Sequence, residues 1–500
     1  MEGNMKKIIC ILLVALMTFG LLCGCASTTT PTDTSGADDG SKDTDAVTEE
    51  LPDIPEGVRY DGRDFVVLVA GTLHYSDFDI DENDGSYEQV NSAITQRNAM
   101  IEQKYGVKIS SVSDFGTSFG DGPGYDRVYE DYYAGECQYD LCMVGTYDAA
   151  QLALGLHLAD LNATDYIDLS KSWWDQKANE DLSINGVQFF TTGDISFVDN
   201  ICTHMIMFNK DIAQELELTS PYELVEQDKW YFDTFKEYAK AANSNLDGKD
   251  DYTDLDRYGL LTWNDVIHQA LHSSRQRVAT TNEYGYLSLT IYNATTVNLM
   301  DAYTSLFYDK ETTYNYSMRN SQNEYDAVRK TMFDNNQALF YTTLFTTVPK
   351  HRDSATDFGI IPYPKFTTTQ SDYGHYISAT HSQMMCIEAI HPDIKMVSHI
   401  VEDMAYMSKK TVTPAYYDDT LIGRQVRDDE SIEMLDIIFS SRVFDVGIYY
   451  KIGSSSTIAA NLTALLTTGV NNFASRYQSF QGPSQDMIDD INEQYESLRK

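Results

Sequence analysis

Phe65-Val66-Val67-Leu68-Val69-Ala70 is a continuous apolar run that stops at Gly71-Thr72. A run without alternation suits a strand covered on both faces, which is the habit of parallel sheets. Helical spacing follows at Val90, Ile94, Ile101 and Tyr105, with Gly106 placed to cap the helix. Val107-Lys108-Ile109 alternates as a second strand, residues 125–134 carry another helical stretch, and Tyr139-Asp140-Leu141-Cys142-Met143-Val144 is a third buried strand. Strand, helix, strand, helix, strand is the order of an α/β layer with parallel strands. Further along, Ile201 to Phe208 predicts another strand. Trp230-Tyr231-Phe232-Asp233 opens a helix in which Asp233 is the expected cap, with Phe235, Tyr238, Ala239 and Ala242 on one face.

Upstream of this body, Lys6-Lys7 precede an apolar stretch from Ile8 to Leu22. That stretch is shorter than the ~20 residues a membrane span needs, and it has the proportions of a secretory signal. Leu22-Cys23-Gly24-Cys25 resembles the bacterial lipobox, which implies cleavage after residue 24 and lipid on the Cys25 thiol. Residues 1–25 are therefore expected to be a lipoprotein signal peptide. Residues 26–56 are Thr, Ser, Asp, Gly and Pro with few apolar side chains. Such a segment cannot bury enough surface to offset its ordering entropy and reads as a disordered tether. The expected location is the extracellular face of the cell membrane, with the lipid as the sole membrane attachment.

The 500-residue chain carries a formal net charge of −40. A surface this acidic repels phosphate backbones and anionic lipid, which argues against nucleic acid and against charge-driven membrane docking. Cys137, Cys142, Cys202 and Cys386 lack metal-ligand spacing, and a Cys137–Cys142 bridge is one pairing that an oxidising compartment allows. His268 and His272 lie four apart, but Gln269 stands where a metalloprotease helix needs glutamate. The 35 tyrosines offer flat faces with a hydroxyl at one end, a surface that suits sugars.

Several segments in order resemble the extracellular solute-binding proteins of ABC importers, family 1, the maltose-binding-protein-like group with its clostridial-type lipoproteins. Met207-Phe208-Asn209-Lys210-Asp211-Ile212 is similar to that group's strand-to-helix step, and Lys229-Trp230-Tyr231-Phe232-Asp233-Thr234-Phe235 to its next helix start. Phe333-Asp334-Asn335-Asn336-Gln337-Ala338-Leu339-Phe340 resembles a later strand, with Asn336 where glycine is usual. Phe358-Gly359-Ile360-Ile361-Pro362-Tyr363-Pro364-Lys365 is similar to the strand end that carries two prolines. The resemblance implies an α/β, two-lobed, type II periplasmic-binding-protein-like fold with a hinge and an interlobe cleft. It places crossings at 196–202, 375–379 and 413–417. Lobe one would then be 57–200 with 376–412, and lobe two 201–375 with 413–500. It further implies a monomeric receptor that closes on a solute, an oligosaccharide by the aromatic composition, and delivers it to ABC permease subunits without catalysis or a required cofactor. The rival readings are a surface-anchored glycan-active hydrolase, which needs two carboxylates across a cleft, and a binder of a non-sugar solute such as a peptide or polyamine.

Ligands of open α/β sheets sit past the carboxyl ends of strands. The loops there offer Thr72 and His74 after the first strand, and Tyr147 and Asp148 after the third. Asp148 would accept sugar hydroxyls and Tyr147 would stack, the alternative for Asp148 being a helix cap. Trp173, Trp174 and Asp175 form an aromatic cluster in which one indole is expected to pack inward and the other to face the cleft, because neighbours cannot share a helix face. Trp263 and Asn264 stand at a strand end as a stacking platform, and Asp199 in the first crossing would accept hydroxyls. Phe345 and Tyr416 are candidates of the same type, as are Tyr341 and Tyr417, with core or hinge packing the competing role. Residues 243–254 place oxygen side chains at Asn243, Asn245, Asp247, Asp251 and Asp254 around Gly248. This is the spacing of an EF-hand-like loop that would hold a structural calcium ion, the alternative being an acidic surface loop.

Overall fold

The computed structural model describes residues 49–453 and 457–499. The signal peptide, Cys25 and the tether as far as residue 48 lie outside the described residues. The far end of the tether is corrected, because Glu50 already bonds the body. Its carboxylate accepts from the Ser172 amide at 3.2 Å and lies 3.7 Å from the Lys171 ammonium.

The strands are β1 Asp64–Gly71, β2 Lys108–Phe115, β3 Leu141–Gly145, β4 Phe190–Thr191, β5 His204–Asn209, β6 Tyr258–Thr262, β7 Ala279–Thr281, β8 Leu287–Leu289, β9 Thr313–Asn315, β10 Ala338–Leu344, β11 Phe358–Ile361, β12 His375–Tyr376, β13 Gln383–Cys386 and β14 Arg442–Val443. A first sheet runs β2-β1-β3-β13-β4, with β1, β2 and β3 parallel and β13 antiparallel between β3 and β4. The apolar run at 65–70 is its inner strand, buried along nearly its whole length as continuous hydrophobicity requires. A second sheet runs β11-β5-β10-β6-β9, mixed in direction.

The connections decide where a site can form. The chain leaves β4 and enters β5 through residues 192–203, and returns from β11 to β13 through a segment that bridges back at Thr203–Ile377. His204 at the start of β5 pairs with Leu344 at the end of β10. Both crossings therefore join the carboxyl-end side of one sheet to the carboxyl-end side of the other.

Local chemistry accounts for the joints. Gly106 ends helix Glu88–Tyr105 at φ +73°, donating its amide to Glu102 O. Asn209 caps helix Lys210–Glu215 by accepting from the Ile212 amide at 2.9 Å, and its Nδ2 donates to Asn336 Oδ1 at 2.7 Å. Asn336 sits at φ +56°, the left-handed conformation that explains why asparagine stands in for glycine there. Helix Phe232–Ala242 forms as expected, but Asp233 is inside its first turn and is not the cap. Tyr231 holds the cap position without a side-chain bond, and the Phe232 amide donates to Lys365 O at 2.8 Å. The Trp230 indole N–H donates to Pro362 O at 2.9 Å, tying two of the quoted segments together.

Two readings of chain organisation shift. Segment Ala415–Gln425 packs on helix Glu88–Tyr105 in the first lobe, and helix Asp429–Ser440 packs on β11 in the second. The last passage between lobes thus falls at 426–428 and not at 413–417. The C-terminal helix Phe473–Ser497 also reaches both lobes, packing on β8 while Gln494 Nε2 donates to Leu154 O at 3.0 Å. Cys137 and Cys142 are unbridged, and Cys142 lies opposite Cys386 across β3 and β13. Among the described residues no helix is long and apolar enough to cross a membrane.

Candidate functional site

The predicted residues gather in two places that share no side chain. The first lies between the facing sheet ends. Trp263, directly after β6, is partly buried, and its ring stacks on His204 at 5.8 Å and 23°. His204 stacks in turn on Tyr376 at 5.7 Å, and Tyr376 on His272 at 4.6 Å. The His272 Nε2 lies 2.9 Å from Asp445 Oδ2, which anchors the column of rings in the core. Trp263 Nε1 and both ring nitrogens of His204 are buried and find no protein partner among the described residues. Burial holds the His204 imidazole well below its usual pKa, and four neighbouring histidines (His381, His268, His272 and His375) push the same way. The neutral ring therefore offers one donor and one acceptor, the pair that a hydroxyl group can meet.

The other candidates lie after β1 and β3 in the first lobe and next to Trp263. Tyr147 follows β3, is buried, and sets its ring 6.2 Å from Phe119. Thr72 Oγ1 accepts from the Ser118 amide at 3.1 Å. His74 is exposed and lies on Phe115, centroid to centroid 4.8 Å. Asn264 Oδ1 accepts from Asn315 Nδ2 at 3.0 Å. Lys451 Nζ donates to Phe119 O at 2.6 Å, so the C-terminal segment reaches across to the first lobe. Asp148 is fully buried and accepts from the amides of Gly120, Gly122 and Tyr125 at 2.9, 3.2 and 3.4 Å. Its carboxylate holds the loop before helix Pro123–Ala134 and is not presented to a ligand.

The second place is a cavity of about 370 Å³ lined by Trp173, Trp174, Asp175, Tyr416, Phe439 and Arg442, among others. Both indoles turn inward, correcting the split expected of them. Trp173 Nε1 and Trp174 Nε1 donate to the two oxygens of Glu402 at 3.2 and 2.9 Å. Gly193 allows this packing, since a Cβ there would lie 2.4 Å from Trp173 O. Asp175 caps helix Gln176–Leu182 and pairs with Arg442. Arg442 also donates to Asn200 Oδ1 at 2.6 Å and lies 3.3 Å from Asp199 Oδ2. Burial lifts the Asp199 carboxyl to about 7 and that of Asp194 to about 6, with Arg442 opposing in both. Phe345 is buried and stacks on Phe439 at 5.0 Å, and Tyr416 is buried 6.1 Å from Phe197. These groups tie the crossing segments to each other. Apart from the Asp199 Oδ1, Arg442 Nε and Tyr416 hydroxyl atoms, which lack partners among the described residues, their polar atoms are engaged within the protein.

In the 243–254 loop, Asn245 and Asp247 bond within the loop itself. Asn245 Oδ1 accepts from the Gly248 amide and its Nδ2 donates to Lys249 O. Asp247 accepts from the Lys249 amide and the Thr253 hydroxyl, and the Lys249 ammonium sits 2.8 Å away. Among the described residues no three His, Cys, Asp or Glu side chains cluster as a metal site would require.

Sequence reasoning missed His204, His381 and Asn315. His204 begins a strand, and only its antiparallel pairing with β10 brings that beginning to the carboxyl-end side of the sheet.

No family model and no curated protein matches the sequence. Solved structures do match in shape. UspC of Mycobacterium tuberculosis superposes with a TM-score of 0.54 at 11% identity, over 84% of this chain and 100% of that one. The ABC substrate-binding protein Lmo0181 of Listeria monocytogenes, in complex with cycloalternan, gives 0.53 at 12% identity, over 85% and 99%. Maltose-bound MalE3 of Thermotoga maritima gives 0.51 at 15% identity, over 87% and 99%. The chain has the two-lobed α/β fold of maltose-binding-type periplasmic binding proteins, its crossings joining the carboxyl-end sides of the two sheets.

Proposed function

We propose that this protein captures a polyhydroxylated solute, an oligosaccharide, between its lobes and presents it to the permease of an ABC importer. The observation that carries the reading is the set of unpaired buried groups at the facing sheet ends. Trp263 Nε1 and both nitrogens of His204 have no protein partner among the described residues. Leaving such groups unpaired costs about 1–3 kcal/mol each, a cost that ligand hydroxyls would relieve. The flat Trp263 ring beside them suits the apolar face of a sugar. Two of the matched structures hold glycans, cycloalternan and maltose, which supports the same ligand class. The lipobox-like Leu22-Cys23-Gly24-Cys25 supports anchoring by lipid on Cys25 at the outer face of the membrane, where a receptor of this kind meets its solute.

A thermal-shift screen of the full-length protein against maltose, maltotetraose, cycloalternan, peptides and polyamines tests the reading. A glycan at a hundredfold its Kd should stabilise the protein by about 2.7 kcal/mol, and Trp263→Ala should abolish that rise while circular dichroism stays native. Turnover of a glycan, or a shift with a peptide or polyamine and none with sugars, would remove the sugar assignment.

A further inference from the structure

Beyond the Trp263 platform the second lobe has another concavity, of about 510 Å³, set against the edge strand β9. Asn315 joins the two. It is the last residue of β9, the register partner of Thr262, and the donor to Asn264 beside Trp263. It also lines the concavity, is only 4% exposed, and its Oδ1 has no partner among the described residues. Tyr308 lines the same space at 38% exposure, and its ring is set against Gly469, where a Cβ would come within 2.4 Å of ring atoms. Met318, 41% exposed, and Tyr252 complete a largely flat lining. The far wall is the acidic loop read above as a cation site, through Asp250 and Asp251.

We propose that this concavity is an extension subsite that holds the units of an oligosaccharide too long for the interlobe cleft, an inference that rests on the solute-binding reading above. The chemistry selects a neutral glycan. A fixed aromatic ring and a methionine offer apolar faces, and an unpaired buried amide oxygen accepts a hydroxyl at the joint. An anionic ligand is disfavoured, because Asp250, Asp251 and Glu311 outnumber Lys310 and Arg319 in the lining. The Arg319 guanidinium is also committed, donating to the Tyr258 hydroxyl at 2.8 Å and to Lys310 O at 2.9 Å. The geometry gives the acidic loop a role as the outer wall of the binding surface.

Calorimetry of the full-length protein with an α-1,4 series from maltose to maltohexaose, and with the matching β-1,4 series, tests the subsite. One series should show affinity rising about tenfold between short and long chains. Tyr308→Ala and Met318→Ala change exposed side chains, and they should leave the short-chain Kd unchanged while erasing the gain for long chains. Asn315→Ala should erase the same gain. Equal affinity for short and long chains in the wild type, or a gain that survives Tyr308→Ala, overturns the subsite and leaves the cleft reading standing. Absence of binding by every chain in both series overturns both.

Discussion

Glu388 shows how one buried side chain sets a pH response. It is 1% exposed and neither carboxyl oxygen has a partner by hydrogen-bond geometry. Burial pushes its pKa up to about 8, with Asp131 adding and the nearby Cys137 thiol giving slight relief. A carboxyl whose folded pKa exceeds its unfolded value keeps its proton longer in the native state, so the folded protein loses stability as pH rises from about 4.5 to about 8. Glu388→Gln removes that loss. It should raise unfolding stability by about 3–4 kcal/mol at pH 8 and change it little at pH 5, read from urea midpoints. An equal effect at both pH values would show that the gain has a source other than ionisation. The buried histidines act in the opposite sense at lower pH. Burial depresses His204 and holds His375 at about 3, so their contribution is present above the ordinary histidine range and is lost on acidification.

The elements around the cleft are held by side chains that first read as ligand contacts. Asp148 was legible as important because it follows a buried strand, and a helix cap was the competing role. The structure gives it a version of that role, since its carboxylate gathers three amides at the entry to helix Pro123–Ala134. Asp148→Ala leaves those amides unpaired and should cost about 2–4 kcal/mol, measured by urea unfolding. Asp148→Asn should cost less because its Oδ1 still accepts. A loss of glycan binding with stability intact would instead return Asp148 to the ligand site. Trp173 and Trp174 show why adjacency alone misleads. Facing directions set by helix geometry do not apply in the turn at 171–174, where both indoles reach the same Glu402.

For the molecule as a whole, the proposed function depends on two lobes meeting over a ligand. Lys451 Nζ on Phe119 O is a contact from the C-terminal segment to the first lobe. One such bond contributes about 0.5–1.5 kcal/mol. Lys451→Ala should therefore weaken the glycan Kd roughly 3–10-fold and leave the melting temperature of the ligand-free protein unchanged. Small-angle scattering should show a smaller radius of gyration on saturation with the same glycan, and an unchanged radius would argue against closure. The net charge of −40 spread over such a surface keeps the chain away from polyanions and leaves recognition to hydrogen bonds and ring faces.

The α/β class, the parallel run of β1, β2 and β3, the strand-to-helix step at Asn209 and the ring of Trp263 at a strand end were all readable along the chain. Each depends on neighbours in sequence: apolar runs, capping side chains and turn residues act over a few positions. The pairing of β5 with β10, the passage between lobes at 426–428, the inward turn of both indoles and the unpaired nitrogens of His204 depend on residues far apart in sequence. Only packing of the whole chain decides which buried groups find partners and which are left for a ligand.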